Sequence, residues 1–214
     1  AIQTNEGFRL YWAEDSASPR YTQWELDSTG ALVSWDFISG ASYYQVEADS
    51  KIDFDGDLVH GLKFSALSPS NSLGMNQLGY AISDGAGGSI QVTNGGNPVS
   101  ESGAWSAHAS VMSPDGGYKV FWENSQTGLR SSWNLDESGD LTSWGFITDA
   151  DLFQAEETYG SDLDGDGLTG LQFMPLEPTS IGLGSNQLGY AIMTQDGTQV
   201  QLTTNGSYVS SNQG

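Results

Sequence analysis

The feature that most constrains the fold is an internal repeat that runs through nearly the whole chain of 214 residues. Four segments recur in the same order, namely GFRLYW at 7–12 with GYKVFW at 117–122, WELDSTGALVSWDFI at 24–38 with WNLDESGDLTSWGFI at 133–147, DFDGD at 53–57 with DLDGD at 162–166, and NQLGYAI at 76–82 with the same residues at 186–192. Such self-similarity indicates supersecondary units arranged in tandem. We therefore expect one tryptophan-rich repeat over residues 1–100 and another over residues 101–214, with a connecting segment at 101–116.

The residue pattern of each copy predicts short β-strands joined by tight turns. FRLYW and YKVFW alternate large apolar residues with polar ones, as half-buried strands do. The turns STG and ESG place Gly30 and Gly139 where a hairpin needs a permissive backbone. Only residues 40–51 and 149–160 have a pattern that allows a helical turn or two. We therefore predict an all-β fold of two tandem repeats of short antiparallel strands and hairpins, each with an acidic loop.

Composition limits the classes of function. The chain has 6 Lys and Arg against 27 Asp and Glu, for a formal net charge of −21. Such a surface repels phosphate backbones, so we expect no nucleic-acid partner. No run approaches the ~18 apolar residues that span a bilayer, so we expect no membrane insertion. The chain has no cysteine, which excludes disulfides, thiolate metal sites and a cysteine nucleophile.

An acidic surface with few lysines and many small polar residues is typical of extracellular bacterial proteins. We therefore expect a secreted or cell-surface location. The stretch GAWSAHASVM at 103–112 precedes the second repeat, but no counterpart precedes the first. This asymmetry leads us to expect that the sequence is part of a larger protein, whose other domains are partners in the same chain.

The stretch YGSDLDGDGLTGLQF at 159–173 has the spacing of a calcium-binding loop. Asp162, Asp164 and Asp166 occupy positions one, three and five of such a loop. A glycine permits the sharp turn at position six, and Leu168 offers its carbonyl at position seven. Aspartates are also ordinary turn residues, but three of them this close repel one another unless a cation lies between them. The pattern therefore predicts a Ca²⁺ site.

An upstream glutamate offers the carboxylate that the end of this loop lacks. Position twelve is Phe173, but Glu156 lies six residues before Asp162, and Glu47 lies six residues before Asp53. This recurrence favours a role as metal ligand, or as support for the ligands, over that of a solvated acid on a helical turn.

The first acidic loop keeps Asp53, Asp55 and Asp57 but has Leu58 where the second has Gly167. Leucine tolerates a positive φ poorly. The sequence therefore leaves open whether this first site binds Ca²⁺ loosely, in altered geometry or not at all.

These motifs together resemble the tryptophan-rich C-terminal repeat domain first noted in Synechocystis. The resemblance lies in the tryptophan-rich strand pair, the W-x-L-D-x-x-G hairpin and the glutamate that precedes the acidic loop. The family pattern maps onto Trp122, Trp133, Glu156, Asp162, Asp164, Asp166 and Gly167, and less completely onto Trp12, Trp24, Glu47, Asp53, Asp55 and Asp57. The resemblance implies calcium-bearing, extracellular, non-catalytic modules of larger secreted proteins, and it implies no particular ligand.

The sequence contains little that favours catalysis. Its two histidines, His60 and His108, occupy unrelated positions of the repeat, and no G-x-S-x-G elbow surrounds a serine. A pair of carboxylates for glycoside hydrolysis stays open from sequence, but metal binding accounts better for the recurrent acids. We therefore predict that the chain is not an enzyme.

A carbohydrate-binding or adhesive module fits the aromatic content, because aromatic rings stack on the C–H faces of sugars. The partner would be an extracellular or cell-surface glycan. We expect the repeated tryptophans to be core residues, in the pairs Trp12 and Trp122, Trp24 and Trp133, and Trp35 and Trp144. The predicted ligand-binding residues are aromatics without counterparts and the polar residues of the NQLGY motif: Trp105, Tyr21, Tyr208, Asn76, Gln77, Asn186 and Gln187. For that motif we favour the alternative of a tight turn into a strand. The alternative function is a calcium-rigidified spacer or anchor with no ligand of its own.

Overall fold

The computed structural model describes residues 1–15, 19–68, 72–176 and 182–210. Antiparallel strands account for most of its regular structure, together with two short helices. The predicted all-β class is therefore confirmed at the level of these strands. Neither helix in the described ranges is long and apolar enough to cross a membrane.

The first half of the chain forms two small sheets with a helix between them. Sheet A consists of β1 (Ile2–Gln3), β2 (Gly7–Ala13), β3 (Tyr21–Asp27) and β4 (Leu32–Ile38). Helix α1 (Gly40–Ser50) follows. Sheet B consists of β5 (Ser65–Ala66), β6 (Leu73–Asn76), β7 (Gly79–Ser83) and β8 (Ser89–Gln91), and is followed by a hairpin of β9 (Thr93–Asn94) and β10 (Asn97–Pro98).

The second half has the same order of elements. Sheet C consists of β11 (Trp105–Met112), β12 (Tyr118–Asn124), β13 (Arg130–Leu135) and β14 (Leu141–Ile147). Helix α2 (Asp149–Tyr159) follows. Sheet D consists of β15 (Met174–Pro175), β16 (Leu183–Asn186), β17 (Gly189–Met193) and β18 (Gln199–Gln201), and is followed by a hairpin of β19 (Thr203–Thr204) and β20 (Ser207–Tyr208). Each sheet is an antiparallel meander in which neighbours in sequence are neighbours in space.

The two helices are longer than the turn or two expected from sequence, since each has 11 residues. Ser39 caps α1, where its side chain accepts a backbone N–H of the first turn. Thr148 and Asp151 form a reciprocal capping box at the start of α2. Both helices end at a left-handed residue, Lys51 after α1 and Gly160 after α2. This conformation stops the helix and turns the chain toward the acidic loop.

The connecting segment supplies the first strand of sheet C. β11 pairs with β12 along its length, with one shift of register between Ala107 and Ala109. Most of the stretch GAWSAHASVM at 103–112 therefore lies in this strand. In sheet A the corresponding strand is β1, which pairs with β2 only through Ile2 and Gln3.

A continuous apolar cluster lies between sheet B and sheet C. Its buried members are Leu73, Tyr80, Ile82 and Val92 on one side and Ala107, Val120, Trp122 and Leu135 on the other. At its centre the rings of Tyr80 and Trp122 meet edge to face, with centroids 5.1 Å apart. The two sheets therefore form a two-layer sandwich. The apolar contacts between the two sheets join residues on both sides of the predicted repeat boundary between residues 100 and 101. That boundary stays a prediction.

Helices cover one face of sheet A and one face of sheet C. Leu152 of α2 packs with Phe121 of sheet C and with Leu163 of the second acidic loop. Tyr43 of α1 packs with Tyr21 of sheet A, with ring centroids 4.6 Å apart. Sheet C is thus enclosed between sheet B and α2, and the acidic loop that follows α2 is held against this enclosed layer.

The hairpin between β13 and β14 docks on the chain just after β8. The Gly139 carbonyl accepts the N–H of Thr93 at 2.9 Å. The Asp140 carboxylate accepts the Thr93 hydroxyl at 2.7 Å and the Gly96 N–H at 3.0 Å. Gly139 has a φ of 87°, and a β-carbon built on it would lie 2.3 Å from the carbonyl oxygen of Gln91. This approach requires a glycine.

Replacing Gly139 with alanine should lower the free energy of unfolding more than replacing Gly30 with alanine. Both glycines have a left-handed backbone, with φ of 87° and 84°, so each variant should lose about 1–2 kcal/mol. A β-carbon at Gly30 meets no atom within 4 Å, whereas at Gly139 it collides with the backbone of Gln91, the last residue of β8, which adds about 1–3 kcal/mol. Urea unfolding of both variants measures the difference. Equal losses would show that the hairpin does not press against sheet B.

Candidate metal centres and aromatic groove

Glu156 joins helix α2 to both ends of the second acidic loop. Its side chain is fully buried, with 0% exposure. One carboxylate oxygen accepts the N–H of Leu163 at 3.0 Å, and the other accepts the N–H of Gly170 at 2.8 Å. Desolvation by burial raises the pKa of Glu156 despite these two hydrogen bonds. Glu156 therefore holds the acidic loop by hydrogen bonds to two of its backbone N–H groups. The sequence predicted either this support of the ligands or a role as metal ligand.

Two aspartates of the second loop come close to Glu156. Each of Glu156, Asp162 and Asp164 contributes a carboxylate oxygen to a group in which all these atoms lie within 4.8 Å of one another. Burial raises the pKa of Asp164, and the negative charge of neighbouring Asp166 acts in the same direction. Three hard oxygen donors at this separation form a triad that could hold a metal ion.

Arg130 supplies positive charge beside this second triad. Its Nη1 lies 3.6 Å from Oδ2 of Asp164 and 3.3 Å from Oδ1 of Asp149. In the alignment of the repeats, Tyr21 takes the place of Arg130. The second triad is therefore partly compensated by a guanidinium, whereas the first has an aromatic ring at the corresponding place.

The first acidic loop has the same construction. Glu47 is fully buried, and its two oxygens accept the N–H groups of Phe54 at 2.5 Å and Gly61 at 2.8 Å. Carboxylate oxygens of Glu47, Asp53 and Asp55 lie within 4.8 Å of one another. Desolvation by burial raises the pKa of Asp55. The substitution at the glycine position therefore does not prevent the loop from assembling a triad.

The cost of that substitution is visible in the backbone. Leu58 has a φ of 68° in the first loop, and Gly167 has a φ of 85° in the second. The leucine side chain is almost fully exposed, so no packing compensates its left-handed conformation. Such a conformation costs a residue with a β-carbon about 1–2 kcal/mol.

The remaining predicted metal ligands lie outside the two triads. The Asp57 carboxylate accepts the N–H of Val59 and the side-chain amide of Gln77, both at 2.8 Å. The Asp166 carboxylate accepts the N–H of Leu168 at 2.7 Å. These contacts shape the loops. Metal ligation by Asp57, by Asp166 and by the Leu168 carbonyl stays a prediction.

The NQLGY motif makes internal contacts in both copies. The Asn76 amide donates to Gln91 at 2.9 Å, and its oxygen accepts the N–H of Leu78 at 2.9 Å. The Gln77 oxygen accepts the N–H of Lys63 at 2.8 Å. These bonds hold the β6–β7 turn and tie it to the acidic loop. They correspond to the turn interpretation that we favoured, and ligand binding by Asn76 and Gln77 stays a prediction.

The second copy of the motif has matching contacts. Asn186 donates to Gln199 at 2.8 Å and to Gln201 at 2.9 Å. The Gln187 oxygen accepts the N–H of Gln172 at 2.9 Å, and its amide donates to the Gly170 carbonyl at 3.3 Å. Gln187 and Glu156 thus both bind Gly170, Gln187 at its carbonyl and Glu156 at its N–H.

The predicted exposure of the aromatic residues was wrong at several positions. Tyr21 was expected as an exposed platform but is buried between sheet A and α1. Trp12, Trp35 and Trp144 were expected in the core, but more than half of each side chain is exposed. Tyr208 is exposed on the β19–β20 hairpin. The repeat shows which tryptophans recur, but exposure depends on the layer that covers each strand face.

An aromatic groove lies on sheet C beside the contact with sheet B. Its aromatic lining consists of Trp105, Trp122, Trp133, Trp144 and Phe146, and its polar lining is Ser100, Ser102 and Ser131. The groove has a volume of about 320 Å³. Cross-strand pairing builds it, because Trp133 lies opposite Trp144, and Ser131 lies between Trp122 and Phe146.

Sequence reasoning identified Trp105 in this groove and missed Trp144 and Phe146. Both missed residues lie on β14, where they alternate with smaller residues. That alternation signals a strand with one apolar face, but it does not say whether the face is covered. Trp122 also lines the groove, and within the described chain its indole N–H has no hydrogen-bond partner.

Comparison with known proteins matches part of the chain to a protein family. The family model described as "Tryptophan-rich Synechocystis species C-terminal domain" matches residues 72–170. The resemblance predicted from the motifs is confirmed over this segment, which runs from the start of sheet B through sheet C and α2 to the glycine bound by Glu156. No curated protein and no solved structure matches the chain.

Replacing Leu58 with glycine should raise the free energy of unfolding by about 1 kcal/mol. The variant removes the strain of the left-handed backbone, which stabilises the folded state by about 1–2 kcal/mol. Glycine also raises the conformational entropy of the unfolded chain, and this offsets about 0.4–1 kcal/mol of the gain. The matched control is Leu168→Gly, the same change in the second loop at a residue whose φ is not positive. The control should lose stability. Urea unfolding of both variants measures the difference, and a change of the same sign in both would contradict the strain at Leu58.

Proposed function

Because residues 72–170 match the family model of the tryptophan-rich Synechocystis-type C-terminal domain, we propose that this chain is a calcium-stabilised, non-catalytic accessory module that binds carbohydrate outside the cell. Its partners are an extracellular or cell-surface glycan and the other domains of the same parent chain. The observation that carries the proposal is the pair of acidic triads, together with the open aromatic groove on the sheet next to the second triad.

Calcium suits the triads because all their donors are hard carboxylate oxygens. Zinc prefers nitrogen and sulfur ligands, and the triads consist of glutamate and aspartate. Magnesium needs near-ideal octahedral geometry and keeps most of its waters, whereas calcium accepts six to eight oxygens in flexible arrangements. Bound calcium would offset the mutual repulsion of three carboxylates that the fold holds together. The backbone carbonyl of Leu168 and water would complete the ligand set.

The metal would act on stability rather than on a reaction. Each triad joins a buried helix glutamate to the acidic loop that follows the helix. A cation that binds only the folded loop stabilises the whole fold by mass action. A structural role of Glu47 and Glu156 argues against a catalytic one, because each of these buried carboxylates already accepts hydrogen bonds from two backbone N–H groups.

The aromatic groove supports carbohydrate as the ligand. Ligand pockets of proteins have volumes from about 300 Å³ upward and combine apolar walls with a few polar groups. Here exposed faces of Trp144 and Phe146 lie near three serines, so rings can stack on the sugar while hydroxyls bind its oxygens.

Removal of calcium should lower the melting temperature of the chain. Saturation at about 100 times the dissociation constant contributes about 2.7 kcal/mol, which corresponds to a shift of about 5–10 °C in a chain of this size. Asp162→Asn should reduce the shift between calcium and chelator. Asp196→Asn, an acid in a turn outside both triads, is the control and should keep the shift. A melting temperature that is the same in calcium and in EDTA would contradict the metal proposal.

The calcium-loaded chain should be retained on insoluble polysaccharide, and Trp144→Ala should weaken retention about 10-fold through lost stacking. The control is Trp35→Ala. Trp35 is the counterpart of Trp144 in sheet A and is similarly exposed, but it does not line the aromatic groove. Retention on a panel of polysaccharides measures both variants. A folded, calcium-saturated chain that is retained on none of them would favour the spacer or anchor function instead.

A further inference from the structure

An ion-pair network surrounds Arg130 at the edge of the second triad. The guanidinium Nε lies 3.5 Å from Oε2 of Glu123, and Nη1 lies 3.3 Å from Oδ1 of Asp149 and 3.6 Å from Oδ2 of Asp164. Glu123 lies opposite Arg130 in the β12–β13 pair, and Asp149 is the first residue of α2. One guanidinium therefore serves three carboxylates from three elements, and of these Asp164 is the one that belongs to the triad.

The three carboxylates differ in burial. The side chain of Asp164 is 11% exposed, whereas those of Glu123 and Asp149 are 34% and 60% exposed. Water weakens the attraction of the two more exposed pairs, so the charge of Arg130 acts most strongly on Asp164. Within the described chain, Nη1 of Arg130 has no hydrogen-bond partner. The attraction between Nη1 and Asp164 is therefore one of charge, and another cation can replace it without breaking a hydrogen bond of Nη1.

By sequence, the first repeat lacks this network. Uncharged residues replace the three members that lie outside the triad, namely Tyr21, Ala13 and Gly40 in the places of Arg130, Glu123 and Asp149. The structure supports the alignment, because Tyr21 pairs with Ala13 in sheet A at the register at which Arg130 pairs in sheet C. The first loop has a different cation, the exposed Lys63, which donates to the Asp57 carbonyl at 3.3 Å, outside the first triad. The network is therefore a property of the second triad.

We propose that Arg130 competes with a divalent cation for Asp164 and thereby lowers the affinity of the second triad for Ca²⁺. This competition rests on the calcium binding proposed above. Arg130 does not touch the cation but acts through the charge of one of its ligands, as outer partners of metal ligands do. When the cation takes Asp164, the guanidinium keeps Glu123 and Asp149 as partners, so no positive charge is left buried and unpaired.

The competition gives the second loop two ways to compensate its negative charge. At low calcium, Arg130 offsets part of the repulsion among the carboxylates of Glu156, Asp162 and Asp164. At high calcium, the divalent cation supplies more charge at closer range and replaces the guanidinium at Asp164. The second loop is therefore supported before calcium binds, and it fills at a higher calcium concentration than it would without the arginine.

Calorimetric titration with Ca²⁺ tests the competition directly. All variants are made in a chain that carries Asp53→Asn, which removes a carboxylate of the first triad and leaves the second site to be measured. Arg130→Gln should bind calcium about 10-fold more tightly, because partners outside the ligand shell change metal affinity by about that factor. Arg130→Lys keeps the positive charge and should bind calcium like the Asp53→Asn chain.

Arg20→Gln is the matched control for net charge. It also removes one positive charge, but Arg20 pairs with the exposed Glu14 at 3.0 Å and takes no part in the network around Arg130. Its side chain is largely exposed, so water screens its charge. Arg20→Gln should therefore leave the calcium affinity of the second site unchanged. An equal gain of affinity in Arg20→Gln and Arg130→Gln would show that only net charge matters, and it would overturn the competition.

Melting temperatures separate the competition from a purely structural role of Arg130. In EDTA, Arg130→Gln should melt below the Asp53→Asn chain, because Asp164 loses its opposite charge. In calcium the cation supplies that charge, so the two chains should melt closer together. The shift between calcium and EDTA should therefore be larger for Arg130→Gln. An arginine that serves only the fold would lower both temperatures alike, and an unchanged shift would contradict the proposal.

A double-mutant cycle tests the exchange of partners within the network. Asp149→Asn removes one partner of the guanidinium, which then turns to Asp164, so calcium binding should weaken. Combined with Arg130→Gln, the same substitution should have little effect, because the guanidinium through which it acts is gone. An equal effect with and without the arginine would show that Asp149 acts on the cation by itself, which would overturn the exchange.

Two negative results have different meanings. An unchanged calcium affinity in Arg130→Gln overturns the competition and leaves the calcium-stabilised module intact. A parent chain that binds no calcium, with the same melting temperature in calcium and in EDTA, overturns the module and the competition together.

Discussion

The arrangement of the molecule depends on the packing of sheet B on sheet C, with Tyr80 against Trp122 at its centre. The strands have between two and eight residues, and hairpins of this length are marginal in water without a second apolar layer. Burial of apolar surface between the sheets therefore provides stability that the strands lack alone. Because the contact joins residues 73–92 with residues 107–135, one packed unit is built from the end of one sequence repeat and the start of the next.

The buried glutamates stabilise the acidic loops. Glu47 and Glu156 each bind two backbone N–H groups that lie seven and 14 residues further along the chain. A buried carboxylate needs such donors, because its desolvation is otherwise costly. The loops are thereby closed at both ends, and their first aspartates are brought to the carboxylate that closes them. The concentration of negative charge is a consequence of this closure, and it is what a divalent cation would relieve.

Much of the local structure could be predicted from sequence. The hairpins with Gly30 and Gly139, the strand in the connecting segment and the link between Glu156 and its loop follow from turn chemistry and from repetition. Exposure could not be predicted in the same way. Trp12 is 52% exposed, whereas its repeat counterpart Trp122 is 5% exposed, and Tyr21, which has no aromatic counterpart, is buried. The difference arises because a strand face is buried only if a layer from a distant segment covers it.

The sequence by itself determined the units: which residues form strands, where glycine permits a turn, and which acids recur together. Short-range rules suffice for these features, since hydrogen-bonding patterns and side-chain alternation act over a few residues. Only the tertiary structure decided which of two equivalent sheets is covered and which tryptophans form a groove. These features depend on contacts between segments far apart in the chain, and a repeat contains the same residues whether or not its neighbour is present to cover them.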